Sequence, residues 1–570
     1  MGFLVTIDTQ AIQNYLYDAG TLRDAVGGSY LVEHATEEMV TQTLRDLGIS
    51  KKDHLWYAGG GNARIIFDDQ NCAHKFIRAY TSRLALEAPR LQVAVYCDSL
   101  DTADMVNELH RHAVALNFVK AQPEGVPRFM RLGFEELCRL TGEPAVGRHH
   151  DDKKLLGKPA QIRAECSMTA HDKLKREFWQ NNKELNWPQL PNLQSQSFEF
   201  PKELDHLGGE EGKNYIAIVH VDVNRMGEMF RLLQQNVPHD GYAKIQQLSD
   251  FVKDATKRTV KFVIAALAME IEVSYGQRTR NVYPPAVGPV ELSRKGDIYH
   301  LPFRPILQGG DDVTFVCDGR LGICLATGYL NKFYEQTQVF LQKQPDFRRL
   351  LNDQPYFTGC AGVAIVKAHY PFRHAYALAE ELLKSAKKIG RQDAGYNALD
   401  FHIVTETSCI RLEETRHNQY EILDSTNNQL HLTRKPYYVG TVPPTNASHP
   451  RLQEYYAHLA QTKGLIAHNK LKELEHALRQ GPQETQRLVQ YLIDTYKPPQ
   501  DSDKKEEDAR RWITSLSGAT EDLKNSFFQS VGNQRTSYLL DIMEGEGLLA
   551  QETDFLSPDG QGLKQELFWR

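Results

Sequence analysis

Asp311 and Asp312 stand side by side in "LQGGDDVTFVCDG" (307–319), ahead of a second apolar run, Val313 to Cys317. Like charges repel, so adjacent carboxylates at the tip of a buried hairpin need either open solvent or a cation. A third carboxylate, Asp222, lies at the end of the apolar run "NYIAIVHVDV" (214–223). Three converging carboxylates form an oxygen site for hard divalent cations such as Mg²⁺, bound together with substrate phosphates. Two such ions ~4 Å apart stabilise both the attacking and the leaving oxygen of an in-line phosphoryl displacement. Gly309 and Gly310 permit a turn with positive φ and let backbone N–H groups come close to a phosphate. Lys384, Lys387 and Lys388 follow in one helical stretch, and Arg391 comes after it. Lys384 and Lys388 share a face at i, i+4 and could neutralise a triphosphate. The bland alternatives are an acidic turn built from common turn formers and a solvated helix face. The combination of flanking apolar runs and an upstream strand carrying Asp222 favours the chemical reading.

The elements that must position these residues occur twice. "FLVTID" (3–8) predicts a strand, 22–48 is mostly helical, and "HLWYAGGGNARIIFDD" (54–69) predicts a hairpin around Gly59-Gly60-Gly61-Asn62. A helix over 72–87 and the strand "LQVAVYCD" (91–98) complete a β-α-β-β-α-β order, the ferredoxin-like arrangement. The order repeats as the strand 214–223, a helix from about Tyr242 to Val273, "FRPILQ" and "VTFVCD" around the Gly309–Asp312 tip, a helix over about 323–343 and the strand 359–368. The amphipathic helix 372–388 follows, with Ala375, Leu378, Leu382 and Ala386 on one face. In such a sheet the first and third strands are adjacent and central, which sets Asp222 beside the second tip. A duplication of this kind constrains the fold more than any one motif. The fold class expected is α+β: two ferredoxin-like units at 1–119 and 214–445, an inserted connection at 120–213 and a helical C-terminal domain at 446–570. The stretch 187–203 reads as irregular connection and 497–511 as a mobile charged loop.

Bulk properties agree with an ordinary globular chain. It has 570 residues, 41% hydrophobic and 25% charged, with a formal net charge of −6, which excludes a generally basic nucleic-acid coat but not a local basic groove. No apolar run approaches the ~18 residues of a membrane span. The start, "MGFLVTIDTQ", has no basic n-region and predicts no signal peptide. Eight cysteines without a C-x-x-C predict free thiols in a reducing, cytoplasmic setting.

"YIAIVHVDVNRMGEMF", "LQGGDDVTFVCDG" and "GCAGVAIVKAHYPFRHAYALAEELLKSAKK" together resemble the large Palm subunit of type III CRISPR effector complexes, a family related to GGDEF diguanylate cyclases and to polymerase palms. "IQNYLYDAGTLRDAVGGSYLVEH" with "YAGGGNARIIF" looks like that family's first, degenerate Palm. The resemblance covers roughly residues 1–440. It implies a nucleotidyltransferase that uses two Mg²⁺ or Mn²⁺ ions to convert ATP into a cyclic oligoadenylate in antiviral defence, with guide or target RNA and other complex subunits as partners. The metal-binding positions implied are Asp222, Val223, Asp311 and Asp312. The nucleotide-binding positions are Gly309, Gly310, Asn224, Gly227, Lys384, Ser385 and Lys388, together with Gly60, Gly61 and Asn62 of the first tip. Asn62 cannot replace a metal-binding carboxylate, so the first copy is expected to hold a nucleotide while the second does the chemistry. The family pattern Asp-x-Asp-Asn-Leu-Gly reads Asp222-Val-Asn224-Arg-Met-Gly227 here, so a second acid has become Asn224. "CRLT" (138–141) and "CSMT" (166–169) look like a zinc ribbon whose C-x-x-C pairs each lost a cysteine. Cys138 and Cys166 could recruit His149, His150 or His171, but a zinc-free remnant is expected. No HD nuclease is expected before the first Palm. The alternatives are a nucleotide- or RNA-binding scaffold without turnover and a GGDEF-like GTP cyclase.

Overall fold

The computed structural model describes residues 2–549 apart from 18–19, 102–104, 123–132, 149–152, 181–197, 208–214, 237–240, 270, 274–279, 283–289, 297, 353–355, 393–395, 406–410, 424–426, 441–448, 463–467, 496–528, 532–533 and 538. The expected loop at 497–511 and the His149–His150–Asp151 stretch therefore lie outside the described residues.

The first sheet is built from β1 (Gly2–Thr9), β2 (Leu55–Gly59), β3 (Asn62–Phe67) and β4 (Val93–Leu100). Its order is β2-β3-β1-β4 and every pair is antiparallel. The β2–β3 hairpin turns on Gly60 (φ 60°) and Gly61 (φ 80°), the two positive φ values that a tight primed turn demands. Helix α1 (Leu22–Thr36) starts at Thr21, whose hydroxyl accepts the Asp24 N–H at 3.1 Å. Helix α2 (Gln70–Glu87) is capped in the same way by Asp69, and α3 (Met105–Ala121) packs on β4.

The connection is more ordered than its composition predicts. Helix α4 (Lys158–Lys175) lies along α1 so closely that a Cβ on Gly27 would collide with the Arg163 carbonyl. Backbone contact through a glycine leaves no apolar stripe in the sequence, so periodicity does not find this pairing.

The second sheet contains β5 (Tyr215–Val223), β6 (Phe303–Gly309), β7 (Asp312–Asp318), β8 (Gly359–Lys367), β9 (Asn397–Ile403) and β10 (Tyr437–Val439), in the order β6-β7-β5-β8-β9-β10. Its first four strands repeat the order of the first sheet, again antiparallel. β9 is added parallel to β8 and β10 antiparallel to β9. Helices α5 (Gly241–Met269), α6 (Gly322–Lys343) and α7 (Phe372–Gln392) cover it, and α8 (Leu412–Tyr420) follows β9. β5 and β8 are almost wholly buried, as near-continuous apolar runs require.

The chain is thus a mixed α+β protein with several sheets. Helices α9 (Leu452–Thr462), α10 (His468–Gln480), α11 (Pro482–Thr495) and α12 (Leu539–Leu549) lie in the region expected to be helical. The region is not all-helical, however. Strand 534–536 pairs with 429–431 in a four-stranded sheet that crosses the boundary drawn at 445/446. Short strands carry too little periodicity to show this in sequence. One apolar cluster contains residues of both large sheets, among them Val5, Ile7, Ile216, Ile218 and Val316. Among the described residues, no helix is long and apolar enough to cross a membrane.

Candidate functional site

The acids meet because of strand register. The β6–β7 hairpin has a two-residue loop, Gly310–Asp311, closed by the pair Gly309↔Asp312. Gly310 takes φ 70° at the first loop position, where a side chain would be strained. The antiparallel register sets Asp312 directly opposite Asp222. Side chains opposite each other in such a pair share a face with Cβ atoms roughly 4.5–5.5 Å apart. Asp222, Asp311 and Asp312 therefore gather at one end of the sheet, as the spacing of the motifs predicts.

Burial makes this arrangement electrostatically expensive. Desolvation, then the charges of Asp311 and Glu380, push the Asp312 carboxyl up to about 7. Desolvation also raises Asp311. Lys387 of α7 answers part of this charge through an ion pair with Asp222. Its own ammonium is pushed down to about 8 by burial and then by Arg391. Below the acids, His220 Nδ1 meets the Thr314 hydroxyl at 2.9 Å, and desolvation brings this imidazole down to about 4, so it is neutral.

Other expected residues take different places. Asn224 is 4% exposed; its amide donates to Thr358 Oγ1 (3.1 Å) and accepts from Cys360 Sγ (3.2 Å). It is thus a buried brace rather than a group presented to a ligand. Val223 points its side chain into the core, which leaves only its carbonyl to ligate. Gly227 lies exposed near the start of the helix Met226–Asn236. Lys384 is exposed and bonds Glu380 at 2.6 Å, and Lys388 is exposed. Ser385 turns toward α8, where its hydroxyl accepts from Arg416 at 3.0 Å. Two positions from Lys387, it faces away from the acids. The lysine that reaches the site is Lys387, which motif matching singles out least.

The first tip is close by. A Cβ on Gly60 would lie 3.9 Å from the Gly309 carbonyl oxygen, so the two hairpins nearly touch. A cavity of about 460 Å³ runs between them, lined by Gly60, Gly61, Gly309 and Asp312 together with Lys173 and Lys257. Helix α5 braces the second tip: Thr256 donates to the Gly310 carbonyl at 2.7 Å. The first sheet also repeats the ion pair. Asp8 lies opposite Asn62, as Asp222 lies opposite Asp312, and Lys120 of α3 pairs with Asp8 as Lys387 of α7 pairs with Asp222. Neither pairing is named by the motifs. Asp8 at the end of the first strand was the available signal.

Buried, mutually repelling carboxylates of raised pKa are a donor set suited to a hard divalent cation. They are not a ready-made cage: among the described residues no group of three or more His, Cys, Asp or Glu is arranged to hold a metal. With Asp222 bound to Lys387, an ion would have to take the place of that ammonium. Among the described residues, the two cysteines of the expected zinc remnant lie in different apolar clusters. Cys138 packs with Leu156 and Ala160, while Cys166 packs against a different apolar cluster and burial raises its thiol to about 11. His171 binds Arg304 instead.

No curated protein matches the chain. Among solved structures it resembles a Csm1–Csm4 cassette in complex with cA3, with 13% identity, a TM-score of 0.47 and coverage of 97% of this chain and 70% of that one. It also resembles a Csm1–Csm4 cassette in complex with AMPPNP (15%, 0.46, 92% and 69%) and one in complex with pppApA (15%, 0.41, 70% and 54%). Against that last structure the chain spans about half of the relative's length. Residues 215–395 match the family described as Cas10/Cmr2, second palm domain, a segment that runs from β5 through α7 and carries Asp222, Asp311, Asp312 and Lys387. The strands and helices that bring these acids together thus lie in the segment that matches the Cas10/Cmr2 second palm, and the chain resembles a Cas10-like palm-domain protein.

Proposed function

We propose that this protein is a metal-dependent nucleotidyltransferase that converts ATP into a cyclic oligoadenylate-type messenger, in a type III CRISPR-like complex or alone in antiviral defence. We read its two sheets as two ferredoxin-like Palms and its thiol-bearing insert as a zinc-ribbon remnant. The observation that carries the reading is the register that sets Asp222 opposite Asp312, next to Asp311, with Asp312 on a cavity shared with the first hairpin tip. Asp222, Asp311 and Asp312, with the Val223 carbonyl, would hold Mg²⁺ or Mn²⁺. When bound, such ions favour ionisation of an attacking hydroxyl and neutralise a leaving pyrophosphate. The chain's own part is positional. Gly60, Gly61 and Gly309 line the cavity and, with Gly310 at the tip, leave room for phosphates against backbone N–H groups, and Lys173 and Lys257, both paired with Glu33, stand at its wall. Lys387, released from Asp222, is then free to face the polyphosphate. No side chain is needed as general base, because positioning and charge carry phosphoryl transfer. Guide or target RNA and further complex subunits are the partners this reading implies, and cytoplasm is its setting.

The test is incubation of the purified chain with ATP and Mg²⁺ or Mn²⁺, with and without RNA. A nucleotide-linked product that disappears in Asp311→Ala and Asp312→Ala supports the reading. The Lys387–Asp222 pair and the buried Asn224 favour a second reading, a nucleotide-binding scaffold. It predicts ATP binding with no turnover under every condition.

A further inference from the structure

Arg304, on β6, is 2% exposed. One of its terminal nitrogens, Nη1, donates to His171 Nδ1 at 2.8 Å and to the Pro201 carbonyl at 3.4 Å, while its Nε is buried without a partner. Burial is the whole cause of its lowered pKa, about 10, and among the described residues no carboxylate pairs with it. Arginine stays charged in proteins, and a buried guanidinium without a counter-charge is strongly unfavourable. Because His171 accepts through Nδ1, its proton sits on Nε2, a second donor beside the guanidinium. Burial, then Arg304, keeps this imidazole neutral, down at about 4.

Both residues line a cavity of about 670 Å³ between α1 and α4, within the size range of small-molecule sites. Arg23, Arg148 and Lys202 line it too, against the acids Glu165 and Asp172. Arg23 pairs with Glu203, Arg148 with Glu136 and Lys202 with Glu199, so among the described residues Arg304 is the lining cation that no acid pairs. Leu22, Val26 and Leu156 supply an apolar wall. Arg304 also borders the cavity that holds Asp312, so it stands between the two spaces.

We propose that the α1–α4 cavity is a binding site for a small phosphorylated molecule, whose phosphate is received by Arg304 and His171 and whose body lies on the apolar wall. A phosphate supplies the counter-charge that the fold leaves out, and the planar guanidinium suits its oxygens. The proposal does not rest on nucleotidyltransfer at the acids.

The test is calorimetric and thermal titration of the full chain in metal-free buffer, with inorganic phosphate in one arm and AMP in the other. The expected result is a saturable rise in Tm, with Kd at least tenfold weaker in Arg304→Met and severalfold weaker in His171→Gln, and unchanged in Asp311→Asn/Asp312→Asn. Equal affinity in both arms identifies free phosphate as the ligand, and tighter AMP binding identifies a phosphate ester that uses the apolar wall. His171→Gln keeps an acceptor for Arg304, so it tests the site even where Arg304→Met fails to fold. Absence of saturable binding in both arms, binding unchanged in both Arg304→Met and His171→Gln, or binding lost with the acids overturns the proposal.

Discussion

At the scale of residues, Asp312 and Lys387 carry opposite halves of one electrostatic problem. Asp312 is held up at about 7 by desolvation, Asp311 and Glu380, far above an unfolded aspartate. The folded chain therefore keeps a proton that the unfolded chain loses. This contribution to stability is complete below about pH 4 and is lost as pH rises through about 7. Asp312→Asn removes the titration and keeps the shape. Its metal-free Tm should come closest to that of the parent near pH 4 and exceed it by several degrees at pH 8, while product formation falls at least a hundredfold. Equal Tm differences at both pH values would refute the electrostatic account. Lys387→Met has the converse effect. It leaves Asp222 buried without its cation, so the metal-free protein should lose roughly 2 kcal/mol in urea titrations. Mn²⁺ should then bind several times more tightly, because no ammonium competes for the carboxylate.

Elements explain why this pair can form. Helix α7 reaches Asp222 only because it lies directly on β8 at Gly362, where a Cβ would run into the Ala379 carbonyl and the Leu383 N–H. Gly362→Ala should lift the helix, lower stability by about 3 kcal/mol and reduce activity even though no acid is touched, as thermal melts and product assays would report. The glycine's role was not visible in the sequence, which shows it as one of several small residues in an apolar strand. What was visible had a local cause. Continuous apolar runs announced β5 and β8, and adjacent glycines at Gly60-Gly61 and Gly309-Gly310 announced the turns. The repeated element order then placed Asp222 next to Asp312. What escaped depends on distant packing. Lys387 finds Asp222 from 165 positions away, α4 docks through Gly27 instead of an apolar stripe, and Arg304 is buried against the usual preference of arginine for the surface. Ser385 and Asn224, placed by family likeness, were claimed by Arg416 and by Thr358 and Cys360, partners that no motif names.

The whole molecule joins the two sheets by a common core, and its pH response is the sum over that core. Tyr17, just before α1, stacks on Tyr376 of α7 with centroids 3.7 Å apart and planes at 25°, within the apolar cluster that both sheets share. Neither half can open there without exposing the other, so Tyr17→Ala should cost about 3 kcal/mol and broaden or split a single thermal transition. Acid acts on the same cooperative unit through buried imidazoles. His402 is brought down to about 3 by burial, then by Lys435 and Arg416; His300 is brought down to about 4 by burial and then by His206, whose ring stacks on it at 4.2 Å. For a base the sign is opposite to that of Asp312. A depressed folded pKa gives stability that is present above about pH 6.5 and is lost as pH falls toward 4, because the unfolded chain takes up protons that the folded one refuses. These histidines oppose Asp312 across the same window, His171 and His220 act in the same sense, and the four shifted imidazoles together outweigh one carboxylate. Urea titrations should therefore show stability falling by a few kcal/mol between pH 7 and pH 5. His402→Gln together with His300→Gln should make that slope shallower, with His171 and His220 carrying what remains. A slope unchanged by the double substitution would place the acid lability elsewhere in the molecule.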